Sequence, residues 1–212
     1  MTQTQSVSRL TVSSLSELRS VLAALGEDVL FRGQVTHHAN ANGSVSMPTS
    51  FARHGCVPPQ MLKWMHYADS VVRALQGPRA PAPSSDLSQA ILQHYGWRSF
   101  YVDATSNPVV GAWFASNQYS SKVQFDFCED CFEEAVFLVI DAAHYSLSGA
   151  STGHLYVISK KQLSLSGTKC IDLSREVASE NRLRFFAQGA CISVCLHKTP
   201  ITARGPILGK IG

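Results

Sequence analysis

Asp28-Val29-Leu30-Phe31-Arg32-Gly33-Gln34 is the stretch on which the reading of the fold turns. A short apolar run gives way to an arginine, a glycine and an amide, which predicts a buried strand that stops at Phe31-Arg32. A guanidinium offers several donors in a fixed fork, so a cation displayed at a strand end suits an anion such as a phosphate. The plainer alternative is a surface arginine beside a turn glycine. Just upstream, Ser14-Leu15-Ser16-Glu17 has the spacing of a capping box. Leu15, Leu18, Val21, Leu22 and Leu25 then mark one helical face, and Gly26 ends it before the strand.

Downstream of Gln34, residues His37 to Gly55 are rich in Asn, Gly, Ser and His without a period, which predicts a long loop of the kind that forms a lid or stays poorly ordered. Pro58-Pro59 opens a helix carrying Met61, Leu62, Met65, Ala68, Val72 and Leu75, and Gly77-Pro78 closes it ahead of a proline-rich connector, Arg79 to Ser85. Ser85 or Asp86 can cap a third helix with Leu87, Ala90, Ile91 and His94 on one side. Phe100-Tyr101-Val102 reads as a short buried strand ending in the polar cluster Asp103-Ala104-Thr105-Ser106. Asn107 as cap and Pro108 at the first position start a further helix, with Val109, Ala112, Trp113 and Phe114 as its expected buried face. A polar strand end beside a helix N-terminus is a second place suited to an anion. Beyond it the chain turns β-rich: Glu134–Ile140, Leu155–Ile158 and Cys191–Leu196 are strand-like, Ser174–Arg184 looks helical, and Thr199–Gly212 reads as a loosely docked tail.

The totals narrow the class. A chain of 212 residues with 45% hydrophobic and 16% charged residues has enough apolar material for one sizeable core, and residues 1–212 are expected to form a single domain. The net charge of +3 is mild and its lysines and arginines are scattered, so charge alone does not point to nucleic acid. Met1 to Arg9 lacks the apolar stretch of a signal peptide and no later run reaches the length of a span. A cytoplasmic protein without a membrane partner is therefore expected, secretion by a leaderless route remaining open. Its six cysteines are then free thiols rather than a disulfide framework. Cys128-Glu129-Asp130-Cys131 has metal-ligand spacing, but a zinc site needs two more ligands and there is no second pair, so no metal is expected.

Three motifs in order, Phe31-Arg32-Gly33-Gln34, then Leu92-Gln93-His94-Tyr95-Gly96 running into Val102–Pro108, then Gln188-Gly189 before a strand, resemble the FRG domain family. The similarity spans about residues 12–196 and leaves 197–212 as a tail. Trp97-Arg98-Ser99-Phe100 stands where the family usually has a proline-threonine-arginine stretch, and Ala104 where it has an aromatic. FRG domains in turn resemble the ADP-ribosyltransferase superfamily, which splits NAD and moves ADP-ribose to an acceptor. The resemblance implies an α+β fold of the ADP-ribosyltransferase-like kind, helices packed around a mixed β core of short strands. It also implies a transferase using NAD as co-substrate and a protein or nucleic-acid acceptor, as in bacterial toxins and phage-defence components. The alternative is a non-catalytic FRG module that binds a nucleotide or anion and acts through protein interaction.

Under that resemblance Arg32 and Gln34 hold the NAD phosphates, Tyr95 stacks on a base, and Thr105 and Ser106 belong to the second motif. The superfamily's late glutamate has no clear counterpart; Glu180 or Gln188 could fill its place, and Asp103 could supply the carboxylate if Gln188 does. His94 could orient a ribose hydroxyl or act as a base on the acceptor. Cleaving the nicotinamide–ribose bond builds positive charge on the ribose, much as glycoside hydrolysis does, which is why a carboxylate is wanted there. Without the resemblance, His94 reads as a hydrogen-bonded core histidine, Asp103 as a cap for the Asn107 helix, and Thr105 and Ser106 as turn residues.

Overall fold

The computed structural model describes residues 9–54 except 42, then 63, 66–67, 69–70, 73, 84–94, 98–127, 137–176, 193–195 and 204–209. The elements in chain order are β1 (Leu10–Val12), α1 (Leu15–Ala23), β2 (Val29–Gln34), α2 (Ser50–His54), α3 (Ser85–His94), β3 (Tyr101–Asp103), α4 (Pro108–Ser116), β4 (Asn117–Phe127), β5 (Phe137–Leu147), β6 (Gly153–Ser159), α5 (Lys160–Leu165), β7 (Cys170–Ile171), α6 (Leu173–Glu176), β8 (Ser193–Cys195) and β9 (Arg204–Gly209). Helix and strand are mixed, as the sequence predicts. Strands β1-β9-β6-β2 form one sheet, β3-β8-β7 a second, and β4-β5 a two-stranded ribbon.

Helix α1 starts where the capping box predicts. The Ser14 hydroxyl accepts from the Glu17 N–H at 3.2 Å, while the glutamate reaches one residue further back and accepts from the Ser13 N–H at 2.8 Å. Two orphan amides are thereby satisfied. Gly26 takes the left-handed conformation, φ 71°, that turns the chain into β2.

Strand β2 runs on through Gln34, so Arg32 lies inside it rather than at its end. It pairs antiparallel with β6, placing Leu30 opposite Ile158, Arg32 opposite Tyr156 and Gln34 opposite His154. Because side chains alternate across a pleated sheet, these six residues share one face, and Phe31, Val157, Gly33 and Leu155 share the other. The first face packs Leu30, Tyr156 and Ile158 against Val45, Met47, Ala104 and Leu163. Val45, Met47, Thr49 and Phe51 are buried, so much of the predicted 37–55 loop is a core-forming strap ending in α2 rather than a lid. The second face packs Phe31, Leu155 and Val157 against Val12 and Leu18, with α1 laid over it.

Helix α4 has its predicted cap: Asn107 Oδ1 accepts from the Val109 N–H at 2.9 Å, with Pro108 in the first turn. Its buried positions are Gly111 and Ala115, whereas Val109 is 72% and Trp113 44% exposed, which corrects the predicted apolar face. The reason is close backbone approach. A Cβ on Gly33 would strike the Gly111 carbonyl and lie 2.5 Å from the Ala115 nitrogen, and one on Gly153 would strike the Ala115 carbonyl. Helix and ladder meet through small residues, so the glycine after Arg32 is a packing residue and not a turn.

Two further expectations are corrected. Helix α3 is capped by Ser84, whose hydroxyl accepts from the Leu87 N–H at 3.2 Å; Asp86 instead accepts from the Tyr101 hydroxyl at 2.7 Å and from Lys169. In the expected tail, Arg204–Gly209 form β9, parallel to β1 and antiparallel to β6. The register shifts between Leu155 and Val157, where Gly205-Pro206 pass, as a proline without an N–H requires. Of the predicted 174–184 helix, only the part within α6 is described. Among the described residues, no helix is long and apolar enough to cross a membrane.

Candidate functional site

The first face of the β2–β6 ladder carries polar groups in a row. Arg32, Gln34 and His154 lie on it with Tyr156, and the strap brings His37 over them. Arg32 Nη1 donates to the Asp103 carbonyl at 2.7 Å across to the end of β3. That approach is fixed by backbone: Phe31 and Thr105 exchange both of their amide hydrogen bonds, at 2.7 and 2.8 Å, so the polar segment after β3 extends the edge of β2. Burial disfavours the charged form of Arg32 and lowers its pKa; the Asp103 carboxylate opposes that, and Arg53 on α2 adds to it by repulsion. A guanidinium nonetheless keeps its charge. Its Nε is buried and has no partner.

Asp103 is exposed, and one of its oxygens, Oδ2, accepts from Gln93 Nε2 at 2.9 Å. The amide cannot be turned the other way, because its oxygen would then face the Asp103 carboxylate, which only accepts. Ser99 Oγ, which accepts from the Tyr101 N–H at 3.0 Å, donates to Gln93 Oε1 at 2.7 Å, with Ser50 Oγ 3.3 Å from the same oxygen. Ser50 and Ser99 are themselves tied, the Ser99 N–H donating to Ser50 Oγ at 2.7 Å. A buried serine pair therefore orients an amide, and the amide orients the carboxylate.

At the other end of the row, His37 Nδ1 and the Tyr156 hydroxyl are hydrogen-bonded at 2.8 Å, and the His37 and His154 rings lie 5.4 Å apart. His154 is 9% exposed, and its Nδ1 is buried without a partner, as is Gln34 Oε1. Burial lowers the His154 pKa, helped by the nearby positive charge of His37, Arg9 and His38, so the ring is held neutral. Burial raises the Tyr156 pKa, and Arg32 opposes that rise.

No family model, curated protein or solved structure matches this chain. The site therefore stands on its own geometry.

Of the residues that the sequence singles out, the structure brings Arg32, Asp103 and Thr105 together and sets Gln34 beside them on the ladder. Thr105 is buried and its hydroxyl accepts from the Asn107 N–H at 3.0 Å, which is turn work, while Ser106 is exposed. Asp103 does not cap α4, since Asn107 does. His94 is the last residue of α3, and its side chain lies outside what is described, as do Tyr95, Glu180, Gln188 and the Cys128/Cys131 pair. Among the described residues, no three His, Cys, Asp or Glu side chains gather as a metal site would need.

Sequence reasoning missed Gln93, Arg53, His37, His154 and Tyr156. Gln93 stands one residue before His94 in a stretch singled out for its histidine. His154 and Tyr156 carried a signal, because Gly153-His154-Leu155-Tyr156-Val157 places both on one face of a strand. Nothing local marks Arg53 or His37, which reach the site through the strap.

Proposed function

We propose that this chain is an ADP-ribosyltransferase-like enzyme of the FRG kind, which binds NAD, breaks its nicotinamide–ribose bond and passes ADP-ribose to a protein or nucleic-acid acceptor. The observation that carries the reading is Arg32: a half-buried guanidinium anchored through one nitrogen to the end of β3, with its buried Nε left without an acceptor. An unmet donor on a partly desolvated cation favours an anionic oxygen, and an NAD phosphate supplies one. Arg53 and Arg9 add positive charge around the same face. In the step itself the C1′–N bond breaks, its electron pair leaves with nicotinamide, and the cationic ribose carbon is captured by a nucleophilic oxygen or nitrogen of the acceptor, which loses a proton. Asp103, held by Gln93, is the carboxylate that would stabilise the ribose cation. Glu180 is the rival carboxylate for that place, whereas Gln188, an amide, would position a ribose without supplying charge.

One observation favours the second reading, a binding module without turnover. The Asp103 carboxylate already accepts from Gln93 and sits beside the Arg32 charge, so part of its field is spent before any substrate arrives. Incubating the pure chain with NAD labelled in the adenine half, alone and with cell lysate, separates the two. Transfer of label or release of nicotinamide by the wild type, lost in Arg32→Ala and in Asp103→Asn, supports the transferase. NAD binding without either product supports the module. Arg32→Lys keeps the charge but loses the fork, and is expected to weaken NAD binding by about 2 kcal/mol, some thirtyfold, with the circular dichroism unchanged. Full activity in Arg32→Ala would remove the site from this face altogether.

A further inference from the structure

Two unpartnered buried atoms on the ladder face are not explained by a phosphate. Gln34 Oε1 is an acceptor, and a phosphate brings only acceptors at neutral pH, so the two would repel. His154 Nδ1, directly across the ladder from Gln34, belongs to a ring in contact with His37, and a neutral imidazole nitrogen can either donate or accept. A hydroxyl suits both atoms, since it donates to the amide oxygen and pairs with the imidazole nitrogen in either tautomer. The residues stand opposite one another on adjacent strands, so their side chains reach into the same space two positions along from Arg32.

We infer that Gln34 and His154 form a hydroxyl subsite that grips the ribose diol of a 5′-nucleotide, next to the phosphate held by Arg32. One ribose hydroxyl donates to Gln34 Oε1 and its neighbour pairs with His154 Nδ1. His37, whose Nδ1 is engaged by the buried Tyr156 hydroxyl, backs the His154 ring and fixes its position. His154 is thus a ligand-positioning residue with no part in bond breaking. The inference rests on the nucleotide-binding half of the proposed function and is independent of NAD cleavage.

Calorimetric titration with AMP and with 2′,3′-dideoxy-AMP tests it on the wild-type chain. AMP is expected to bind at least tenfold more tightly than its dideoxy counterpart. Gln34→Met and His154→Leu should each reduce that preference to less than threefold. Their melting temperatures without ligand should be unchanged or higher, because replacing an unpartnered buried polar group by an apolar one relieves a desolvation cost. Equal affinity for the two nucleotides would mean that the orphaned atoms hold only ordered water, and would overturn the subsite. So would the absence of AMP binding, or variants that keep the preference. A chain that prefers the diol yet never cleaves NAD retains the subsite and refutes only the transferase; one that cleaves NAD but does not distinguish the two nucleotides does the reverse.

Discussion

The β2–β6 ladder and the β4–β5 ribbon are both antiparallel pairs, six and eleven positions long, and the shorter one carries the candidate site. Both faces of the ladder are covered, one by the strap and the other by α1 and α4, so Arg32 Nε, Gln34 Oε1 and His154 Nδ1 are buried and their hydrogen bonds matter. The ribbon forms its own two-stranded sheet, and of the described elements α4 is its main neighbour. Residues 118–122 and 144–147 are exposed along both faces, although Trp113, Tyr119 and Tyr145 cluster at its root. Pairing length therefore does not make a site; enclosure does, because a donor without a partner costs free energy only where water cannot reach it.

Enclosure can be broken most severely at Gly33. Gly33→Ala drives a methyl group into the backbone of α4 and is expected to cost about 3 kcal/mol or more, read as a large fall in the urea midpoint. Retention of wild-type stability would show that helix and ladder are not in contact there. Within the site, Gln93→Leu leaves Asp103 and Ser99 without their shared partner and should lose about 1–3 kcal/mol together with NAD binding or turnover. A variant as active and as stable as the wild type would show that the amide orients nothing.

On the ribbon the effects should be smaller. Trp113→Ala removes ring contacts to Phe114 and Tyr145 and is expected to cost about 1 kcal/mol, with faster amide exchange confined to β4 and β5. Exchange that quickens equally in β2 and β6 would unite the two regions that the comparison separates. The mildest probe is pH. The folded pKa of His154 lies below its unfolded value of about 6.5, so between the two the unfolded chain binds the extra proton. That part of the stability is fully present above the unfolded value and is lost as pH falls from there towards the folded one. His154→Leu should remove this acid sensitivity, and an unchanged pH profile would mean that the ring is not held neutral by the fold.

Much of the local structure was legible in the residues themselves. The Ser14–Glu17 start of α1, the Asn107-Pro108 start of α4, the stop at Gly26 and the apolar cores of β2 and β6 all follow from groups within a few positions of one another. The end of β2 was misread for the same reason. Gly33 and the polar residues beside it look like a turn until the helix that needs the missing Cβ is in place. The β9 strand likewise shows no period of its own, because β1 and β6 supply its hydrogen-bond partners from far away in the chain.

The sequence by itself determined where helices begin, which strands are apolar, and that Asp103 is a polar group at the end of one of them. Only the tertiary structure decided that Arg32 lies inside β2, that Phe31 pairs with Thr105, that Ser50 and Ser99 set the amide of Gln93, and that His154 faces Gln34. The physical reason is range. Caps and periodicities are satisfied within a turn or two of chain, whereas the buried polar atoms of the candidate site are brought together only because distant segments of the chain meet around them.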